Sequence, residues 1–160
     1  MFVHLLNKCV LPFVSSNSLF DQPFNLMHCD IWGSFTPQTV EWHHYFFAIV
    51  DDGTRFTWIY FLKQKFDVLS IFPDFYTLIN TQLSAKIKSV RAANALELAF
   101  IDFFFRSKGI HSCVDTPQQN SMVECKHQHL LNVAKALHFQ SNVPLGYWRD
   151  YVSTATYLIN

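Results

Sequence analysis

The sequence predicts an α/β domain in which a mixed sheet carries packed helices. Two β-rich runs joined by the turn-forming group Asp52-Gly53-Thr54 follow an earlier apolar run, which makes a three-strand meander. From residue 68 onward the apolar period changes to three- and four-residue steps that alternate with short β-rich runs, the order expected when helices cross between strands. Half of the 160 residues are apolar, with 17 Phe, 6 Tyr and 4 Trp among them. That supply is enough for one core and excludes intrinsic disorder as a description of the whole chain.

Each element follows from a local pattern. Residues 1–23 hold Pro12, Ser15, Ser16, Asn17, Ser18 and Pro23 without a sustained period, and are expected to form a tail leading into a domain over residues 24–160. The first strand spans 24–32, with Leu26, His28, Asp30 and Trp32 on one face and Met27, Cys29 and Ile31 on the other. Residues 45–51 and 55–63 make a hairpin. Val68, Leu69, Phe72, Phe75, Tyr76 and Ile79 form the stripe of an amphipathic helix over 68–83, despite Pro73. A strand over 87–91 follows, then a helix over 96–108 marked by Leu96, Phe100, Phe103 and Phe104 and stopped by Gly109. A strand over 110–114 leads through Thr116-Pro117 to a long helix over 121–139, along Val123, Leu130, Ala134 and Leu137. Residues 142–144 break it, and 145–159 form the final helix.

Charge and composition exclude several functions. Twelve Lys and Arg balance twelve Asp and Glu, so binding to nucleic acid requires a local basic patch. Lys63 and Lys65 after the third strand, and Lys86, Lys88 and Arg91 in the fourth, supply a candidate. Protection of a strand edge by Lys explains the same residues equally well. The four glycines lie too far apart for a phosphate-cradling loop. Four cysteines without a C-x-x-C pair point to a reducing, intracellular setting. The longest uninterrupted apolar run covers residues 45–50, far short of the roughly 20 residues that span a bilayer, so no membrane partner is expected.

Carboxylates are the first candidates for chemistry. Asp30 lies near the end of the first strand among apolar neighbours, where an ionised group needs a cation or hydrogen-bond donors; capping of the turn before Gly33 competes with a ligand role. Glu124 opens the long helix, and Ser121 with Glu124 also fits a capping box. Asp51 and Asp52 are explained by the turn that they begin. Cys125-x-His127-x-His129 clusters zinc-type ligands, but on a helix His127 points about 200° away from Cys125, so a zinc site is not expected.

Several blocks together carry a family resemblance. The run from Phe24 through His28-Cys29-Asp30-Ile31-Trp32-Gly33, the run Phe46 to Asp52, and Arg55-Phe56-Thr57-Trp58 resemble the integrase catalytic core of copia-type retrotransposons. So do Lys86 to Arg91 leading to Asn94, the block Thr116-Pro117-Gln118-Gln119-Asn120-x-x-x-Glu124 with Lys126-His127, and Tyr157-Leu158-Ile159-Asn160. The resemblance covers about residues 10–160.

It implies an RNase H-like fold, a five-stranded mixed sheet flanked by helices, and DNA integration by metal-dependent phosphodiester strand transfer. Two Asp and one Glu would hold two Mg²⁺ or Mn²⁺. The first Asp maps onto Asp30 and the Glu onto Glu124, as catalytic residues and metal ligands, and this displaces the capping reading of Glu124. The second Asp position is Ala93, whose methyl group binds no cation, with Asn94 beside it on the opposite strand face. Asp51, Asp52 or Glu97 could replace it only by moving inward. Lys86, Lys88, Arg91, Asn120, Lys126 and His127 are the implied nucleic-acid-binding residues. Cys125 stands where the family carries an Arg, and the segment 109–114 is shorter than usual, so a stunted fifth strand is expected. The implied partners are DNA and further copies of the chain, in the nucleus. Loss of one metal ligand predicts a catalytically dead copy. Alternatives are a non-catalytic nucleic-acid or protein binding module, or a decayed fragment without a role.

Overall fold

The computed structural model describes residues 22–37, 39–92, 101–114, 121–141 and 143–160. Most of the expected tail, the start of the helix expected over 96–108, and Ala93, Asn94, Glu97 and the residues from Thr116 to Asn120 lie outside them. Five strands form one sheet in the order β3-β2-β1-β4-β5. They are β1 (Leu26–Gly33), β2 (Tyr45–Asp51), β3 (Thr57–Leu62), β4 (Ser89–Ala92) and β5 (His111–Val114). β1, β2 and β3 pair antiparallel as the meander predicts, while β4 runs parallel to β1 and β5 parallel to β4. The five-stranded mixed sheet with flanking helices is thus the architecture expected from the sequence. β5 is four residues long and pairs with β4 over four positions.

Both faces of β1 are covered, because both of its alternating residue sets are apolar enough to bury. Met27 and Cys29, with Phe47 and Ile49 of β2, pack against α1 (Val68–Gln82) through Phe72, Phe75 and Ile79, and against α2 (Asp102–Ser107) through Phe105. On the other face Phe46 and Ala48 meet α3 (Ser121–Ser141) through Leu130 and Ala134, and α4 (Trp148–Ile159) through Trp148, Tyr151, Val152 and Ala155. The sequence predicts the final helix from residue 145. Its first turn, Leu145–Tyr147, is instead 3₁₀, and α geometry begins at Trp148.

Two local devices fix the meander. Gly33 sits at φ +131°, and a Cβ there would come within 2.6 Å of the His44 carbonyl oxygen. Only glycine lets β1 end so close to the chain entering β2. At the other end of β2, buried Asp51 turns into the hairpin: its Oδ2 accepts from the Thr54 amide at 2.9 Å and hydroxyl at 2.7 Å, and its Oδ1 accepts from the Phe24 amide at 2.9 Å. The turn reading of Asp51 therefore holds. A carboxylate held by three donors at the start of β1 is not available to replace a missing ligand near the end of that strand.

Candidate functional site

Asp30 lies near the carboxyl end of β1, on the face that α3 covers, and opposite Ala48 of β2. The His127 ring of α3 approaches the carboxylate there. His127 Nδ1 lies 3.3 Å from Asp30 Oδ2, with the imidazole 2% and the carboxylate 15% exposed. The approach is off the hydrogen-bond direction, so neither ring nitrogen of His127 has a hydrogen-bond partner among the described residues. Asp30 Oδ1 accepts instead from the Ile31 amide at 2.9 Å. Trp32, two residues on and on the same face, sets its ring edge against His127 at 5.4 Å, and Phe46 does so at 5.5 Å.

The second polar contact on this face is further back along β1. His28 Nε2 lies 3.2 Å from Asp52 Oδ1, and Arg55 Nη1 lies 3.9 Å from the same oxygen. Asp52 is thereby engaged at the hairpin and, like Asp51, does not approach Asp30. Lys126 lies beside this cluster: burial and the Arg55 charge push its ammonium below the ordinary lysine value.

The expected site residues are only partly brought together. Asp30 and His127 meet. Glu124, exposed in the first turn of α3, stands one turn before His127 and so on the same side of the helix. No hydrogen bond or ion pair among the described residues joins it to Asp30. The capping partner Ser121 has no described side chain, and Ala93 and Asn120 lie outside the described residues. β4 can be followed to Ala92, which pairs with Cys29.

His127, expected among the nucleic-acid-binding residues, is 1% exposed and turned inward onto Asp30, because the helix face carrying Val123, Leu130 and Ala134 also carries residue 127. The expectation that Lys86 and Lys88 lie within the fourth strand needs correction, since β4 begins at Ser89. They enter it from the end where Lys88 donates its amide to Phe24. Because β1 and β4 are parallel, this is the end of the sheet away from Asp30, and about 3.3 Å per residue puts roughly 15 Å between them. β4 is also an interior strand, so edge protection does not explain these lysines.

Among the described residues no three His, Cys, Asp or Glu side chains converge on a point that could hold a metal ion. Asp30 meets an imidazole, and alanine occupies position 93 in the sequence. The fold's own contribution is a half-buried carboxylate held between a backbone amide and a histidine at the mouth of the sheet.

No protein-family profile matches the chain. Individual proteins do. The chain is 31% identical over 153 residues to the retrovirus-related Pol polyprotein from transposon RE2 of Arabidopsis thaliana, covering 94% of this chain and 10% of that protein. The corresponding polyprotein from transposon RE1 is 30% identical, covering 98% and 11%. That from transposon TNT 1-94 of Nicotiana tabacum is 28% identical, covering 85% and 11%. The chain therefore spans about a tenth of the length of these relatives. Among solved structures it resembles a chain of the simian T-cell lymphotropic virus intasome, solved with PP2A regulatory subunit B56 gamma, at TM-score 0.66 and 15% identity, over 86% of this chain and 49% of that one. It also resembles the HTLV-2 integrase catalytic core domain, solved with magnesium in a trimeric form, at TM-score 0.62 and 13% identity, over 86% of each chain. These likenesses show the fold.

Proposed function

The chain is homologous to part of the retrovirus-related Pol polyproteins of copia-type transposons and has the fold of a retroviral integrase catalytic core, and from this premise we propose that it binds DNA in the nucleus, together with further copies of itself, but does not carry out strand transfer. One observation carries the reading: Asp30, at the end of the central strand, meets the first turns of α3 through His127, where a metal-dependent strand-transfer centre needs its carboxylates to converge, while position 93 in the sequence offers a methyl group.

What remains at this place can orient and exclude water but cannot hold paired cations. An oriented divalent ion contributes several kcal/mol to such a transition state, and each roughly 1.4 kcal/mol is tenfold in rate. Loss of one ligand therefore predicts a fall of several orders of magnitude. The test is strand transfer and phosphodiester cleavage by the purified chain with Mg²⁺ and with Mn²⁺, beside an intact relative. We expect no turnover from the chain, and comparable turnover would overturn the reading. Ala93→Asp should raise calorimetric Mn²⁺ affinity above that of the parent; equal, negligible affinity in both would remove position 93 from the site.

A further inference from the structure

The basic residues that the sequence groups together are divided by the fold between opposite ends of the sheet, and the group at the Asp30 end lines a cavity. β3 ends at Leu62, which pairs with Tyr45, and Tyr45 pairs with Gly33. Lys63 and Lys65 therefore leave the sheet three residues beyond the level of Asp30, about 10 Å along the strand direction. There Ser34, Thr36, His44, Tyr45, Lys63 and Lys65 line an open cavity of about 550 Å³, within the range that accommodates a nucleotide-sized group.

The cavity is built from several tied segments. The Phe35 amide donates to the His44 carbonyl at 2.8 Å, and the His44 amide donates to the Leu62 carbonyl at 3.0 Å, so the segment after β1, the start of β2 and the end of β3 form one wall. The Lys63 and Gln64 amides both donate to Asp67 Oδ2 at 2.9 Å, which holds the chain carrying the two lysines. Asp67, the acidic group nearest this turn, is engaged there and is not part of the lining. Lys65 Nζ stands over the Tyr45 ring, 5.8 Å from its centre. Among the described residues no carboxylate lines the cavity. Two ammonium groups, two hydroxyls and an imidazole beside an aromatic wall provide charge, hydrogen bonds and a stacking surface for a phosphodiester strand.

We propose that this cavity seats the backbone of a DNA strand. The proposal rests on the DNA-binding reading above and adds where the strand lies. The alternative edge-protection role does not account for it, because Lys63 and Lys65 follow the edge strand β3 instead of standing within it. Neighbouring His43 feels both charges of this turn: burial and Lys63 disfavour its imidazolium, and Asp67 favours it.

The experiment measures binding of a short fluorescent duplex to the full chain by anisotropy over a series of NaCl concentrations. The parent is compared with Lys63→Glu/Lys65→Glu, and with Lys63→Gln/Lys65→Gln in case charge reversal disturbs folding. We expect about tenfold weaker binding or more, and a slope of log Kd against log salt smaller by about two, one unit for each lost phosphate contact. If the parent binds while both variants keep its affinity and slope, the cavity proposal is overturned and the DNA reading survives. If the parent does not bind duplex DNA, both fall. Inorganic phosphate, compared with chloride at equal ionic strength, distinguishes the remaining source: specific displacement that the double variants abolish would assign the cavity to a free anion and overturn the strand proposal.

Discussion

At the scale of single residues, the carboxylates of this chain separate by what surrounds them. Asp51 is fully buried and surrounded by three donors; Asp30 is half-buried, with one donor and a poorly aligned imidazole. Hydrogen bonds to a charged group contribute about 1.5–3 kcal/mol each, and partners left unsatisfied add to the loss. Asp51→Ala should therefore destabilise the fold by about 3 kcal/mol in urea unfolding, with Asp51→Asn intermediate because one acceptor remains. An Asp51→Ala loss below about 1 kcal/mol would show that the three bonds are not what holds the hairpin. Neither the burial of Asp51 nor that of His127 can be read from its neighbours in sequence, since Asp51-Asp52-Gly53 also describes an exposed turn.

At the scale of elements, the connection from β1 to β2 carries the clearest pH signal. His43 is held by Thr39, which accepts from the His43 amide at 3.0 Å and lies 3.3 Å from its Nδ1. Burial and Lys63 lower the imidazolium pKa below its ordinary 6.5, against an opposing pull from Asp67. Glu41 lies 3.6 Å away but is 59% exposed, so solvent screens it. With the folded value depressed, the unfolded chain takes up this proton first. The resulting stability is complete above the unfolded pKa of about 6.5 and declines as pH falls below it. The urea midpoint should drop between neutral pH and mildly acidic pH, and His43→Gln should flatten that drop; an unchanged slope would place the sensitivity elsewhere. Periodicity located the neighbouring helices well: α1 runs Val68–Gln82 against the expected 68–83, and α3 Ser121–Ser141 against 121–139. The short strands shifted by one or two residues, as β4 did, because four residues contain too few alternations to fix an end.

At the scale of the whole molecule, contacts distant in sequence decide which surfaces belong together. Asn160, after α4, accepts from the Thr57 amide at 2.9 Å and donates to the Thr57 carbonyl at 2.8 Å, which ties the helix to the start of edge strand β3. Asn160→Ala should cost about 1–2 kcal/mol and speed hydrogen exchange at Thr57 while leaving β4 protected. Uniform loss of protection would show instead that the clamp is part of the global core. The same long-range arrangement sends Lys86 and Lys88 to one end of the sheet and Lys63 and Lys65 to the other, a division invisible in a count of charges.

Alternation and helical period, which are local, determined the order of strands and helices and the two apolar faces of β1. The run of motifs determined the kinship and identified the alanine at position 93. Only the tertiary structure decided that His127 faces Asp30, that Asp51 serves the hairpin, and that one pair of lysines shares the Asp30 end. Those outcomes depend on strand direction and register between segments far apart in the chain, which are set by the joint burial of both sheet faces and are encoded at no single position.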